Sequence, residues 1–379
     1  MALDIRYQLL IDGEADEPLT AEAAEIQVLE TIDGPTTFSI RFATDVCDGD
    51  LAALDDPRLT PSDSDTLISV LTVVNGETSC IAHGIITRRR GSIVEGGPGS
   101  WLEISCSDRR ALMDREQRVE HHSGKASEAV QKILDRYSFE LDVEETSIEY
   151  REDDHLLAQV DSDLAFVTAL AGLNDFYFWL DFPLSGGSPL SPPSVTEKAH
   201  FKPSPPREED SPLGLVPALH APDNAVSLRL NNGDGCSNVF SFELDADGEV
   251  PNQTGTITRV DFDSAEETDT DLPSPTTAPL GTQARPGQVR SRRFVTAGSI
   301  EEAQISHQAA LNDASWSIRA RAETSVHALG GLVHAHDVIK VTGTGSVVSG
   351  DYFVRAVTHH INPADHKLSL ELLRNAFGG

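Results

Sequence analysis

Residues 156–182 read LLAQVDSDLAFVTALAGLNDFYFWLDF, and their reading decides how the chain is organised. Leu164, Val167, Leu170 and Ala171 recur at helical spacing, so the first part is a helix with one apolar face. Asp161 or Ser162 can cap its start, and Asp163 sits against the positive end of the helix dipole. Asn174 breaks the run. Phe176, Phe178, Leu180 and Phe182 then alternate with Tyr177, Trp179 and Asp181, which is a strand pattern. Five aromatics fall in those seven residues, in a chain holding only 14 Phe, 5 Tyr and 3 Trp. The apolar strand face must be covered, and the adjacent helix Leu164–Leu173 is its natural cover. A helix-covered strand is an α/β unit, and it stands out because the sequence on either side is β-rich.

The first 110 residues carry seven candidate strands: Ile5–Ile11, Glu25–Thr31, Thr37–Phe42, Thr66–Val74, Thr78–His83, Ile85–Arg90 and Trp101–Ser105. Asn75-Gly76 between two of them is a hairpin signal. Ala126, Ala129, Val130, Ile133, Leu134 and Tyr137 mark an amphipathic helix, followed by the strand-like SFELDVE. Residues 183–222 hold ten prolines and read as an extended surface connector, because proline lacks the donor a central strand needs. Ala225–Leu230, Ser237–Leu244 and Gly255–Phe262 are further strands, and Ser264–Gly287, rich in Asp, Thr and Pro, reads as a mobile loop. A helix from Ile300 to about Asn312 precedes strands at Val338–Thr342, Tyr352–Ile361 and Leu368–Leu373.

The expected fold class is mainly β with an α+β insertion. Residues 1–114 form a first β module, a small barrel or sandwich, 115–182 the insertion and 183–224 the Pro-rich connector. Residues 225–295 form a β-rich segment with an acidic loop at 264–287, and 296–379 a helix plus a second β module. An internal repeat underlies this: Thr66–Met113 and Asp337–Gly378 each run strand, turn, strand with arginine, loop, strand, arginine-containing exit.

Composition narrows the function. Sixty-one acids against 29 bases give a net charge of −32, and only six residues are lysine. Nucleic-acid binding needs a positive footprint that this surface lacks. The acidity is read either as adaptation to high salt or as a functional acidic surface that repels polyanions. No apolar run is long enough for a membrane span, and MALDIRYQLLIDGE lacks a signal-peptide layout. Cys47, Cys80, Cys106 and Cys236 show no CxxC pairing, and Cys80 and Cys106 sit in strand-like runs as small hydrophobes.

No hydrolase, metalloprotease, P-loop or dinucleotide-binding motif occurs. His334-Ala-His336, and His359-His360 with His366, are the densest histidine groups. Adjacent strand residues face opposite ways, so His359 and His360 do not share a metal, and the histidines are read as solvated or hydrogen-bonded. Asp245-Ala-Asp247-Gly248 resembles half a calcium loop but is read as an acidic turn. Arg88-Arg89-Arg90 and Arg290-Ser-Arg292-Arg293 are basic patches expected to pair with carboxylates of this chain or a partner. No catalytic, cofactor-binding or metal residue is assigned, no cofactor is expected, and an enzyme is not the reading.

Four segments resemble the phage late control protein D family, which includes the VgrG hubs. QVDSDLAFVTALAGLNDFYFWLDF is similar to the family's E-S-D-x-x-F-x-x-x-L-A-x-x-x-G-x-x-Y-x-F pattern through Asp161, Ser162, Asp163, Phe166, Leu170 and Ala171. Asn174-Asp175 stand where glycine is usual. ISCSDRRALMDREQRVEHHSGKASEAVQKILDRYSF resembles the strand, Asp, turn and helix of the insertion. VHALGGLVHAHDVIKVTGTG and GDYFVRAVTHHINPADHKLSLELLR resemble the closing strands, with Gly350, Tyr352, Val354, Val357, Thr358 and His359 on a G-x-Y-x-V-x-x-V-T-H motif. Residues 183–287 resemble the family only weakly.

The resemblance implies two tube-type β-barrel modules related by duplication, and a structural baseplate hub of a contractile tail or injection system. Such a hub is a homotrimer that joins a hexameric tube to a trimeric spike and lines the channel. It implies a tail tube or tube-initiator protein and baseplate wedge proteins as partners. The spike is expected on a separate polypeptide, because the chain ends six residues after Leu373. Assembly in the cytoplasm and residence in a virion or injection particle follow. The alternative is a peripheral β-rich baseplate or receptor-binding protein.

Overall fold

The structure, a computed structural model, describes residues 6–44, 52–61, 65–94, 99–151, 156–186, 193–205, 226–231, 237–246, 252–260, 266–273, 275–283, 289–296 and 299–378. Cys47, Cys236, Asp247, Gly248 and the connector beyond residue 205 lie outside them.

The first module is built from strand β1 (Arg6–Ile11), helix α1 (Glu17–Glu22) and strands β2 (Ala23–Thr31), β3 (Thr37–Thr44), β4 (Leu67–Val74), β5 (Glu77–Ser92) and β6 (Ser100–Ser107). Its strand order is β2-β3-β6-β5-β4-β1, all neighbours antiparallel. The period-2 pattern puts Ile26, Val28, Phe38, Ile40, Phe42, Val70 and Ile104 on one face, where they close a core with Leu19 of α1. Asn75 (φ +55°) and Gly76 (φ +86°) make the hairpin turn from β4 to β5. The expected strands Thr78–His83 and Ile85–Arg90 are instead one 16-residue strand. Gly84 is no turn: a Cβ there would lie 2.0 Å from the carbonyl oxygen of Ser107, so the glycine permits close backbone approach.

The insertion contains α2 (Ala126–Leu134), strand β7 (Glu140–Val143), α3 (Asp163–Leu173) and strands β8 (Tyr177–Asp181) and β9 (Lys198–Lys202). Ser162 caps α3, its Oγ accepting from the Ala165 amide at 3.2 Å. Phe176, Phe178, Leu180 and Phe182 pack against Phe166, Val167 and Leu170, as the alternation requires. β9 corrects the reading of residues 183–224 as connector, since it is the central strand of the sheet β7-β9-β8. Residues 198–202 contain no proline, and Ala199 and Phe201 are fully buried, so this short window pairs although prolines flank it.

The second module contains β10 (Ser227–Arg229), β11 (Ser241–Ala246), a side layer of β12 (Asn252–Val260), β13 (Glu267–Leu272), β14 (Val289–Thr296) and α4 (Ile300–Ser315), then β15 (Ile318–Ser325), β16 (Val338–Thr342), β17 (Gly350–Asn362) and β18 (Asp365–Arg374). β13 corrects the mobile-loop reading within 264–287. Thr256 and Thr258 of β12 donate to Asp271 and Asp269 of β13, so the acids that suggested a loop are paired across the sheet. Asp245 lies in strand β11 rather than in a turn. β15 is a strand the sequence reading lacked, because its buried residues include the small Ala320 and Ala322.

The order β11-β15-β18-β17-β16-β10 repeats that of the first module position for position. Every neighbouring pair has the same sense except the last, where β10 runs parallel to β16 while β1 runs antiparallel to β4. Registers agree too. β4 stops pairing with β5 at Ile85, and β16 stops pairing with β17 at Phe353. Two residues further on, each long strand bulges, between Ile86 and Arg88 and between Val354 and Ala356. Beyond its bulge β17 pairs with β2, which joins both modules into one 13-stranded sheet.

Candidate assembly surfaces and the junction that positions them

The two modules and the insertion meet at buried polar groups. Asp108 and Arg110 leave the end of β6 and are almost fully buried, with a 2.7 Å ion pair between them. Arg110 also donates to the carbonyls of Phe178 (2.8 Å) and Gly34 (3.0 Å), and Asp108 accepts from the Thr36 amide at 2.6 Å. One side-chain pair thus ties the first module to β8. Arg109 pairs with Glu197 beside it. Burial holds the Glu197 carboxyl above its ordinary range, against the pull of Arg109.

Trp179, on the face of β8 away from the phenylalanines, lies between two imidazoles. His200 stacks at 4.7 Å and His336 of the second module at 4.0 Å between ring centroids. Asp163 is a second buried acid, accepting from Tyr137 Oη (2.8 Å), Gln159 Nε2 (2.7 Å) and Arg136. It therefore anchors the insertion, beyond the helix-dipole role its position suggested.

The histidine groups resolve into one chain of contacts. His366 Nε2 is 3.0 Å from His359 Nδ1, His359 Nε2 is 3.2 Å from Glu30 Oε1, and Glu30 Oε2 is 3.1 Å from His334 Nδ1. His360 points away from this chain and is half-buried. Glu30 belongs to the first module, so the contacts cross the seam between β2 and β17. Its charge raises His334 to about 9, against the effect of burial. Burial would raise Glu30 in turn, but the charge and hydrogen bond of His334, with those of His359, hold it far below its ordinary range. Burial lowers His366 to about 3. A cleft of about 620 Å³ opens at this seam, lined by Glu30, Cys80, Trp179, Asp181, His200 and His334 among others. Burial pushes the Cys80 thiol up to about 12, so it is no nucleophile at neutral pH. Among the described residues no group of three or more His, Cys, Asp or Glu is placed to hold a metal.

Arg374 ends β18 fully buried, bonded to four carbonyls, those of Leu280, Val348, Ser349 and Gly378. Gly350 (φ +141°) makes room for it: a Cβ there would lie 2.2 Å from Arg374 Nη2. That contact gives the glycine of the G-x-Y segment a physical reason.

Surfaces for assembly are strand edges. Among the described residues β11 pairs with β15 alone and ends the large sheet. On β5, the edge that β4 covers up to Ile85 carries no strand over Ile86–Ser92 among the described residues. Of the basic patches, Arg89 bonds Thr60 and the Leu54 carbonyl, Arg90 lies 5.6 Å from the Trp101 ring, and Arg293 pairs with Asp269 at 2.7 Å.

No protein-family model and no curated protein matches the sequence. Solved structures do. The tail protein from Neisseria meningitidis MC58 is 12% identical with a TM-score of 0.60, covering 98% of this chain and 97% of that one. The 43 kDa tail protein of prophage MuSo2 from Shewanella oneidensis is 13% identical with a TM-score of 0.59, covering 99% and 100%. The fold is that of phage tail proteins. The Francisella PdpA–VgrG complex shares it at 11% identity and a TM-score of 0.53, over 98% of this chain and 58% of that one. The β-rich, VgrG-like architecture implied by the four sequence segments is therefore present. Among the described residues no helix is long and apolar enough to cross a membrane.

Proposed function

We propose that the chain is a structural hub of a tail or injection particle, acting as a homotrimer that adapts a hexameric tube to a trimeric spike. One observation carries this: the same strand order occurs twice, side by side in one sheet. Three such chains present six similar modules, while keeping a threefold axis for a spike. The insertion lies outside the ring, and the spike, tube or tube-initiator and wedge proteins are the hub's partners. The tail-protein fold supports a place in a virion or a related particle. The buried junction supports a structural role, since its ionisable groups are spent on one another.

Native mass spectrometry followed by cryo-electron microscopy tests the ring. Three subunits with modules alternating around a channel are expected. A different subunit count at the tube–spike junction overturns the reading, and a monomer that binds a glycan at the particle periphery favours a receptor-binding role.

The charge of −32 is proposed to reflect adaptation to salt. The Debye length shrinks from about 30 Å at 0.01 M to about 3 Å at 1 M, so carboxylate repulsion fades. Melting temperature is expected to climb with added KCl. A flat or falling profile removes the idea.

A further inference from the structure

The repeat says more than how many modules a ring contains. Within one chain, β17 beyond its bulge pairs antiparallel with β2: Ala356 opposite Thr31, Thr358 opposite Leu29, His360 opposite Gln27 and Ile361 opposite Ile26. In the repeat, β5 takes the place of β17 and β11 the place of β2. The corresponding stretches are Ile86–Ser92 and Ser241–Ala246, the two edges left open among the described residues. Among the described residues no strand of the chain pairs with either edge, and the two edges belong to opposite ends of the sheet.

We propose that Ile86–Ser92 of one copy adds antiparallel onto Ser241–Ala246 of the next, so that the contact between subunits reproduces the contact between modules. This rests on the trimeric hub reading and gives its interface. The register follows by transfer. Ile86 and Arg88 flank the bulge as Val354 and Ala356 do, so Arg88 corresponds to Ala356 and Arg90 to Thr358. Through β3 and β15, Ile26 corresponds to Phe242 and Leu29 to Asp245. Arg90 then stands opposite Asp245, Ser92 opposite Glu243, Gly91 opposite Leu244, and Ile93 opposite Phe242.

The chemistry of the two edges agrees with this register, although the register was set by backbone pairing alone. One stretch is RRRGS, the other SFELDA, in a chain with a twofold excess of acids. On one face Arg90 meets Asp245 directly and Glu243 diagonally. On the other, Ile93 (67% exposed) meets Phe242 directly and Leu244 (37% exposed) diagonally. Arg88, Arg90, Glu243 and Asp245 are exposed in the single chain. Three contacts of each kind, alternating, close a ring in which neither edge remains open.

The test is Arg90→Cys with Asp245→Cys in the full chain, with Cys47→Ser and Cys236→Ser. The expected result is a shift on non-reducing gels from one chain's mass to three times that mass. Arg90→Cys with Ala246→Cys, on opposite faces, should stay at one chain's mass. In parallel, Arg88→Glu/Arg90→Glu should lose the trimer in native mass spectrometry, and adding Glu243→Arg/Asp245→Arg should restore it, with melting temperature showing that each variant folds. A trimer that neither cross-links nor responds to charge reversal overturns this pairing and leaves the hub reading standing. A wild-type chain that stays monomeric at every concentration and salt overturns both.

Discussion

Arg110→Ala is expected to cost about 3–5 kcal/mol of stability, because it leaves a buried charge without its partner. Asp108 is fully buried, and Arg110 supplies its 2.7 Å counter-charge. The substitution also strips donors from the carbonyls of Phe178 and Gly34, which lie on opposite sides of the junction between the insertion and the first module. The damage should therefore be directional: the insertion loosens before the barrels do. Urea unfolding followed by tryptophan emission in a Trp101→Phe/Trp316→Phe background and by circular dichroism reads this, since the remaining Trp179 is buried in the insertion. The two transitions should separate in the variant. Arg110→Met with Asp108→Leu should cost less than either single change, as it removes both charges together. A single variant within about 1 kcal/mol of wild type, the typical effect of an ordinary substitution, would show that the pair does not hold the junction.

Acidification should destabilise the protein far more steeply than alkalinisation. Burial lowers His83 to about 4, and His336 and His366 to about 3. Below the ordinary imidazole value of 6.5 the unfolded chain takes up protons at these three positions and the folded chain does not, so stability is lost as pH falls. Three such protons correspond to up to about 4 kcal/mol per pH unit between pH 6 and 4. Glu197 and Asp337, whose carboxyls burial raises, blunt this limb. On the alkaline side the buried Cys80 and Cys106 thiols, held protonated by burial while the unfolded chain ionises, add to the loss only at the ordinary thiol range and above. Below that range the limb is set by His334. Its value is raised to about 9, so its contribution is complete below 6.5 and is lost as pH rises through 9. Melting temperatures from pH 4.5 to 9.5 should peak near neutrality with a steep acid limb. A symmetric profile, or greater stability at pH 5 than at 7.5, would contradict the burial of these imidazoles as neutral rings.

The parts that were legible in the sequence are those whose structure is set by neighbours along the chain. The helix Asp163–Leu173 and the strand Tyr177–Asp181 follow from a change of period, from 3.6 to 2, within twenty residues. Strands such as Thr37–Thr44 and Asp365–Arg374 announce themselves by alternation, and Asn75-Gly76 by its turn chemistry. Where composition outweighs pattern, strands escape detection. Lys198–Lys202 was hidden by flanking prolines, Glu267–Leu272 by its acids, and Ile318–Ser325 by the small size of its buried alanines.

The sequence by itself determined the β-rich class, the place of the α/β insertion and the outline of a repeat, because local periodicity and turn residues encode these over a few residues. Only the tertiary structure decided that the repeat extends to six strands in the same order, that Glu30 meets His334 across 304 positions of chain, and that Arg110 reaches the carbonyl of Phe178. Among the described residues it also left the edges of Ile86–Ser92 and Ser241–Ala246 without a pairing strand. Strand partners and buried charge pairs are chosen by which surfaces the whole chain can bring together and remove from water, and no window of sequence contains that information.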